Sequence, residues 1–161
     1  EVTKMEKMLI RGVTKDTDVA RISVTKIPNT PGVAFKLFDV LAKHKINVDI
    51  ILQSIGRDST KDITFTVSKS NAEETVECVK NVFDIEDKDI ICDTSVAKIS
   101  IVGAGMESHP GTASKMFEAL YERDINIDMI ATSEIKISVL INLEDADRAV
   151  SAIHKAFFPA E

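Results

Sequence analysis

Two short stretches hold the residues of this chain best suited to bind a small polar molecule. Pro28-Asn29-Thr30-Pro31-Gly32 closes an alternating segment and opens a helical one. Glycine lets a ligand approach the backbone, and a helix start offers N–H groups that lack intrahelical partners. Such groups suit a carboxylate. Asn47-Val48-Asp49 opens the next strand, and its amide and carboxylate suit an ammonium. Together the two stretches describe a site for a free amino acid. The same residues are also ordinary punctuation, a Pro-Gly turn and an Asn at a strand start. Composition alone leaves the two readings level.

Other chemistries find no support. Gly103-Ala104-Gly105 begins like a dinucleotide fingerprint, but Ser108 stands where the third glycine belongs. There is no phosphate-cradling GxxxxGK[ST] loop and no GxSxG elbow. His44, His109 and His154 fall in separate elements without metal-ligand spacing. His44 and His154 read as solvated helix positions, and His109 as a loop residue. Asp49 and Asp128 occupy equivalent positions of a repeat, so they are not an acid–base pair. Cys78 and Cys92 are too few for a disulfide framework or a zinc site, and read as two reduced, mostly buried thiols. The net charge of -6, no Trp and a single Tyr argue against nucleic acid. No apolar run approaches the roughly 20 residues of a membrane helix, and EVTKMEKMLIRG is not a signal peptide. The expectation is a cytoplasmic chain with no catalytic residues, no cofactor and no metal.

The elements that position the two stretches are duplicated. VARISVTKIPNTPGVAFKLFDVLAKHKINVDIILQS, from Val19, matches VAKISIVGAGMESHPGTASKMFEALYERDINIDMIATS, from Val96. The offset is 77 at the start and 79 from Pro31/Pro110 to Asp49/Asp128. Matching ITFTV at Ile63 to IKISV at Ile135 gives 72, which would leave seven extra residues in the first copy's loop. NAEETVECVKNVF matches DADRAVSAIHKAF in a second helix.

Each copy reads β-α-β-β-α. Ala20, Ile22 and Val24 alternate with polar neighbours as a half-buried strand does. Val33, Leu37, Phe38 and Leu41 share a helical face, as do Ala113, Met116, Phe117 and Leu120. Ala72, Val76, Val79 and Phe83 line the second helix, whose partner shows Ala149, Val150, Ile153 and Phe157. Ser70 and Glu73 have capping-box spacing. The order is the start of a ferredoxin-like βαββαβ unit, an α+β fold. The first module finds its fourth strand in DIICDT. The second lacks one, and MLIRGVT precedes VARIS as DIICDT precedes VAKIS. The expectation is therefore a first module at 19–94, inserted within a second made of 8–14 plus 96–158.

The runs ISVxxIPxxPGVAxKLFxxLAxxxINVDIIxQS and VGAGMESHPGTASKMFEALYERDINIDMIATSEIKISVLI resemble the paired ACT domains that regulate aspartate kinases. The likeness covers roughly Lys4 to Phe158. It implies an amino-acid sensor that binds lysine, threonine or both, for feedback control of lysine, threonine and methionine synthesis. The chain would be a fragment or a separate subunit, working with a kinase domain or catalytic subunit that alone needs ATP and Mg. It would form a homodimer through its ACT modules. The resemblance implies an effector site of Asn29, Pro31, Gly32, Val33, Ala34 and Gln53, completed by Asn126, Ile127 and Asp128 of a second chain. It implies a pseudo-equivalent site of Met106, His109, Gly111 and Thr112 with Asn47 and Val48. Where the family often reads PDKPG, this chain has Asn29, so an acidic partner for the effector ammonium is missing. A freestanding ACT-type binding or scaffold subunit is the alternative.

Overall fold

The structure, a computed structural model, describes residues 10–56, 58–103 and 111–159. In chain order the elements are β1 (Ile10–Asp16), β2 (Ala20–Pro28), α1 (Val33–Lys43), β3 (Ile51–Ile55), β4 (Thr60–Val67), α2 (Ala72–Phe83), β5 (Ile90–Asp93), β6 (Val96–Gly103), α3 (Gly111–Tyr121), β7 (Met129–Thr132), β8 (Lys136–Asn142) and α4 (Ala146–Phe157). The strands form two four-stranded antiparallel sheets, ordered β3-β4-β2-β5 and β1-β6-β8-β7. One compact unit is Asp18–Thr94, and the other joins the described residues up to Thr17 with those from Ser95. Among the described residues no helix is long and apolar enough to cross a membrane.

In the Asp18–Thr94 unit the inward residues of β2 are Ala20, Ile22, Val24 and Ile27. The step from Val24 to Ile27 breaks the alternation, because the β2–β4 register shifts there. Lys26, at φ 56, forms the bulge, and its N–H donates to Asp62 Oδ1 at 3.0 Å. Ile63, Phe65 and Val67 of β4 meet this row, and Leu37 and Leu41 of α1 and Val79 of α2 cover it. The Phe38 ring of α1 packs edge-on against Phe65, with centroids 5.6 Å apart. So α1 crosses over β4 to link the parallel strands β2 and β3, as a βαβ crossover requires.

The other unit repeats the plan with Ala97, Ile99 and Ile101 of β6 and Ile137, Val139 and Ile141 of β8. Met116 and Leu120 of α3 and Ala149, Ile153 and Phe157 of α4 close the core. β1 pairs antiparallel with β6, Asp16 beside Lys98 and Thr14 beside Ser100, and Val13 packs on the core. Met8 and Leu9, expected in the same strand, lie outside the described residues.

Three details differ from the sequence reading. Ile22 faces Phe65 and Ile99 faces Val139, so those two pairs are equivalent. The repeat offset in the third strand is therefore 74, not 72, and ITFTV corresponds to ISVLI. The first copy's loop is longer by five residues, not seven, as the offset falls from 79 to 74. A slip of two preserves the inward–outward alternation, so both alignments satisfy the pattern. Second, Ser70 and Glu73 form no capping box: a 3-10 turn, Lys69–Asn71, precedes α2, and the Asn71 cap makes no side-chain hydrogen bond. The Asp18 carboxylate supplies that end instead, accepting from Ser68 Oγ at 2.7 Å and Lys69 N–H at 3.0 Å. Third, Cys78 is buried but Cys92 is exposed: it lies on the edge strand β5, opposite Ile22 and on the same helix-covered face, where the sheet ends.

Candidate functional site

The loop after β2 is held by its backbone. Asn29 N–H donates to the Ser59 carbonyl at 2.9 Å, which pins the loop beside the start of β4. Gly32 adopts φ 90, ψ -10, a left-handed conformation in which glycine alone avoids a steric cost. Lys36 N–H then closes the first turn on the Gly32 carbonyl at 3.0 Å. No side chain caps α1, and its first turn has no acidic residue. The amides of Val33, Ala34 and Phe35 therefore lack intrahelical acceptors and face an end with positive dipole character.

Asn29, Pro31 and Gly32 are exposed. Val33 and Ala34 are half-buried, because one side of each meets the core. Gln53 lies midway along the edge strand β3, opposite Ile63, exposed and on the helix-covered face of the sheet. It shares that face with Ile51 and Ile55, also exposed.

Asn47 and Asp49 are not beside this loop in their own module. Asp49 N–H donates to the Thr66 carbonyl at 3.1 Å, near the far end of β4. The loop is tied to Ser59, at the near end. Seven residues of extended chain separate these anchors, about 23 Å at ~3.3 Å per residue. The reason is α1 itself, which carries the chain the length of the sheet before β3 begins. Val48 is half-buried in the core and Asn47 is exposed.

The other module has the same layout. Asp128 N–H donates to the Leu140 carbonyl at 2.8 Å, Asn126 is exposed, and Ile127 packs partly on the core. Gly111 and Thr112 open α3, Gly111 exposed and Thr112 buried. Met106 and His109 lie outside the described residues. Each module thus presents a helix start at one end and an Asn-x-Asp segment at the other.

Lys61 had no role in the sequence reading. It is second in β4, opposite Ile27, and only 6% exposed. Its parity with Ile63, Phe65 and Val67 was the available signal, since residues two apart share a face. His44 ends α1 and places Nδ1 3.0 Å from Glu74 Oε1, an exposed contact. Among the described residues no cluster of His, Cys, Asp or Glu could hold a metal ion.

The sequence profile of the ACT domain matches residues 22–83 and 99–157. The aspartate kinase of Pseudomonas putida KT2440 is 44% identical over 158 residues, which is 98% of this chain and 38% of that protein. An aspartokinase of Helicobacter pylori is 45% identical over 154 residues, again 38% of its length. The chain thus spans well under half of these relatives. In three dimensions it resembles the ligand-free regulatory subunit of aspartate kinase from Thermus thermophilus, with a TM-score of 0.86 and 41% identity, covering 92% of this chain and 99% of that one. A structure of aspartokinase alpha and beta subunits gives a TM-score of 0.82 and 40% identity, covering 92% of this chain and 98% of that one.

Proposed function

The chain belongs to the ACT-domain family, in the paired form of the aspartate kinase regulatory region, and on that premise we propose that it is the amino-acid-sensing part of such an enzyme. Its effector is lysine, threonine or both. The phosphorylation of aspartate belongs to a kinase domain or catalytic subunit, and this chain reports effector level to it. That division of labour agrees with the likeness to a separate regulatory subunit and to one chain of an alpha and beta pair.

The observation that carries the site assignment is the separation described above. A helix start without acidic groups suits an effector carboxylate. The Asn-x-Asp segment that suits its ammonium lies at the other end of the same module. A complete site therefore needs two modules. In this reading the Asn29–Ala34 loop and Gln53 of one chain meet Asn126–Asp128 of a second chain across a homodimer. The loop opening α3 and the Asn47-Val48 segment form the pseudo-equivalent site. Binding at a shared boundary shifts the dimer arrangement by the difference in affinity between its two states.

Calorimetric titration of the chain with L-lysine and L-threonine tests this. The wild type should take up at least one of them. Ala34→Thr should reduce uptake while the melting temperature stays near wild type, because Ala34 is only half-buried. Uptake of neither amino acid by the wild type would overturn the sensing role. Undiminished uptake by a folded Ala34→Thr protein would move the site away from α1.

A further inference from the structure

We propose that Asp62 is a positioning residue of the effector loop: its carboxylate holds the bulge in β2, and the bulge decides where Asn29–Ala34 stand. The assignment rests on the sensing role above and names what orients the loop that role uses.

The first observation is a left-handed residue without an ordinary cause. Lys45, Asp84 and Asp124 also have positive φ, but each follows a helix, where such a residue is a common exit. Ser59 lies in the turn between β3 and β4, and hairpin turns use the same conformation. Lys26, at φ 56, lies inside β2. A residue with a side chain is strained there, and its surroundings must hold it. Asp62 Oδ1 accepts the Lys26 N–H at 3.0 Å. On the other flank Thr25 Oγ1 donates to the Asp89 carbonyl at 3.3 Å.

The second observation is what the bulge does to the register. From Val24 to Ile27 β2 advances three residues, while β4 advances two, from Ile63 to Lys61. The extra residue turns Ile27 into the core. It also brings Pro28 opposite Thr60 and lets Asn29 N–H meet the Ser59 carbonyl at 2.9 Å. In an unshifted register Pro28 would stand opposite Ser59, and proline has no N–H to donate. The loop would lose its tie to β4, and the chain would enter Gly32 and α1 from a different point.

The third observation is the other module, which serves as a control. With the offset of 74, Lys136 stands in the place of Asp62. There β6 meets β8 without a shift as far as Val102, opposite Lys136, and Gly103 N–H donates to the Ile135 carbonyl at 2.8 Å. Where the carboxylate is missing, the bulge is missing too. The device belongs to the Asp18–Thr94 module alone.

The test compares wild type, Asp62→Ala, Asp62→Asn, Lys26→Gly and the double variant Lys26→Gly/Asp62→Ala in the full chain. Each is titrated with L-lysine and L-threonine by calorimetry, and each is followed by amide hydrogen exchange. Asp62→Ala should bind the amino acid that wild type takes up about tenfold more weakly, as loss of a hydrogen bond to a charged group implies. Its Asn29 amide should exchange faster, while that of Phe65, midway along β4, keeps the wild-type rate. Asp62→Asn keeps an acceptor oxygen and should stay close to wild type. Glycine takes positive φ freely, so Lys26→Gly should restore both binding and exchange in the double variant. Unchanged binding by Asp62→Ala would overturn the assignment. So would a loss that Asp62→Asn shares or that Lys26→Gly fails to restore, since Asp62 would then act by its charge and not through the bulge. Phe65 exchange that quickens as much as that of Asn29 would also overturn it, since the whole module would then be loosened. If the wild type binds neither amino acid, the sensing role falls, and this assignment with it.

Discussion

The Ser100 hydroxyl lies 2.7 Å from the Ser138 hydroxyl across β6 and β8, and both residues are buried. Ser23 and Thr64 repeat the pairing in the other module at 3.0 Å. Each pair sits on the sheet face turned from its helices, where one hydroxyl satisfies the other. Ser138→Ala would strand the Ser100 hydroxyl and should cost ~1–3 kcal/mol. The double variant Ser100→Ala/Ser138→Ala leaves nothing unpaired and should lose less than the two single losses added. Urea unfolding of the three variants measures this, and strict additivity would show that the hydroxyls are independent.

Gly32→Ala isolates a backbone effect. A Cβ built at Gly32 meets nothing within 4 Å, yet φ is 90. The substitution should destabilise the Asp18–Thr94 module by ~1–2 kcal/mol through left-handed strain alone. A melt showing no loss would mean that the loop relaxes freely.

Removing residues 1–15 takes most of β1 from its sheet. The exposed Lys15–Asp147 ion pair, 2.7 Å long, contributes little. The ladder to β6 and the packing of Val13 matter more. The melting temperature should fall by about 5 °C or more. An unchanged temperature would show that β1 adds nothing to the second core.

Asp58 responds to pH through one neighbour. The Thr60 hydroxyl bonded to it, and then backbone N–H groups, hold its carboxyl below the ordinary aspartate value. Depression in the folded state favours folding above that ordinary value, and the benefit disappears as pH falls through the depressed one. Thr60→Val should raise the Asp58 titration midpoint in an NMR titration. Its stability deficit should be present at neutral pH and vanish in acid.

The thiols should differ in access. Burial, and then Glu74 and Glu77, push the Cys78 thiol above its usual range. Burial, and then Asp93, do the same for Cys92. Both should be protonated at neutral pH. Cys92 should react with a disulfide reagent in the native state, faster as pH rises, and Cys78 only in urea. Native-state labelling of Cys78 at the Cys92 rate would contradict its place in the core.

The α+β class was legible because alternation and helical faces recur in both copies. Ala20, Ile22 and Val24 all point inward, as do Ala97, Ile99 and Ile101. The third-strand register was not legible, since a period of two cannot distinguish offsets of 72 and 74. The support for α2 was not legible, because Asp18 is remote in sequence from Ser68 and Lys69. Asn47 and Pro28–Gly32 are neighbours in sequence pattern but not in space. α1 has 11 residues, about 16 Å at ~1.5 Å per residue, so the chain must emerge at the far end of the sheet. Lys61 stands at an inward parity position, opposite Ile27, which its charge masks in the sequence.

The pairing of Asp16 with Lys98 and of Thr14 with Ser100 also sets a timetable for synthesis. β1 is translated first, but its partner β6 follows only after all of Asp18–Thr94 has been made. That module can close its own sheet as soon as β5 emerges, because Arg21 already faces Asp93. β1 meanwhile waits for roughly 80 residues, or about 4–16 s at ~5–20 residues per second. On the ribosome the nascent chain passes through a stage with one finished sheet and one unpaired strand, and a chaperone or a second nascent chain has those seconds in which to engage it.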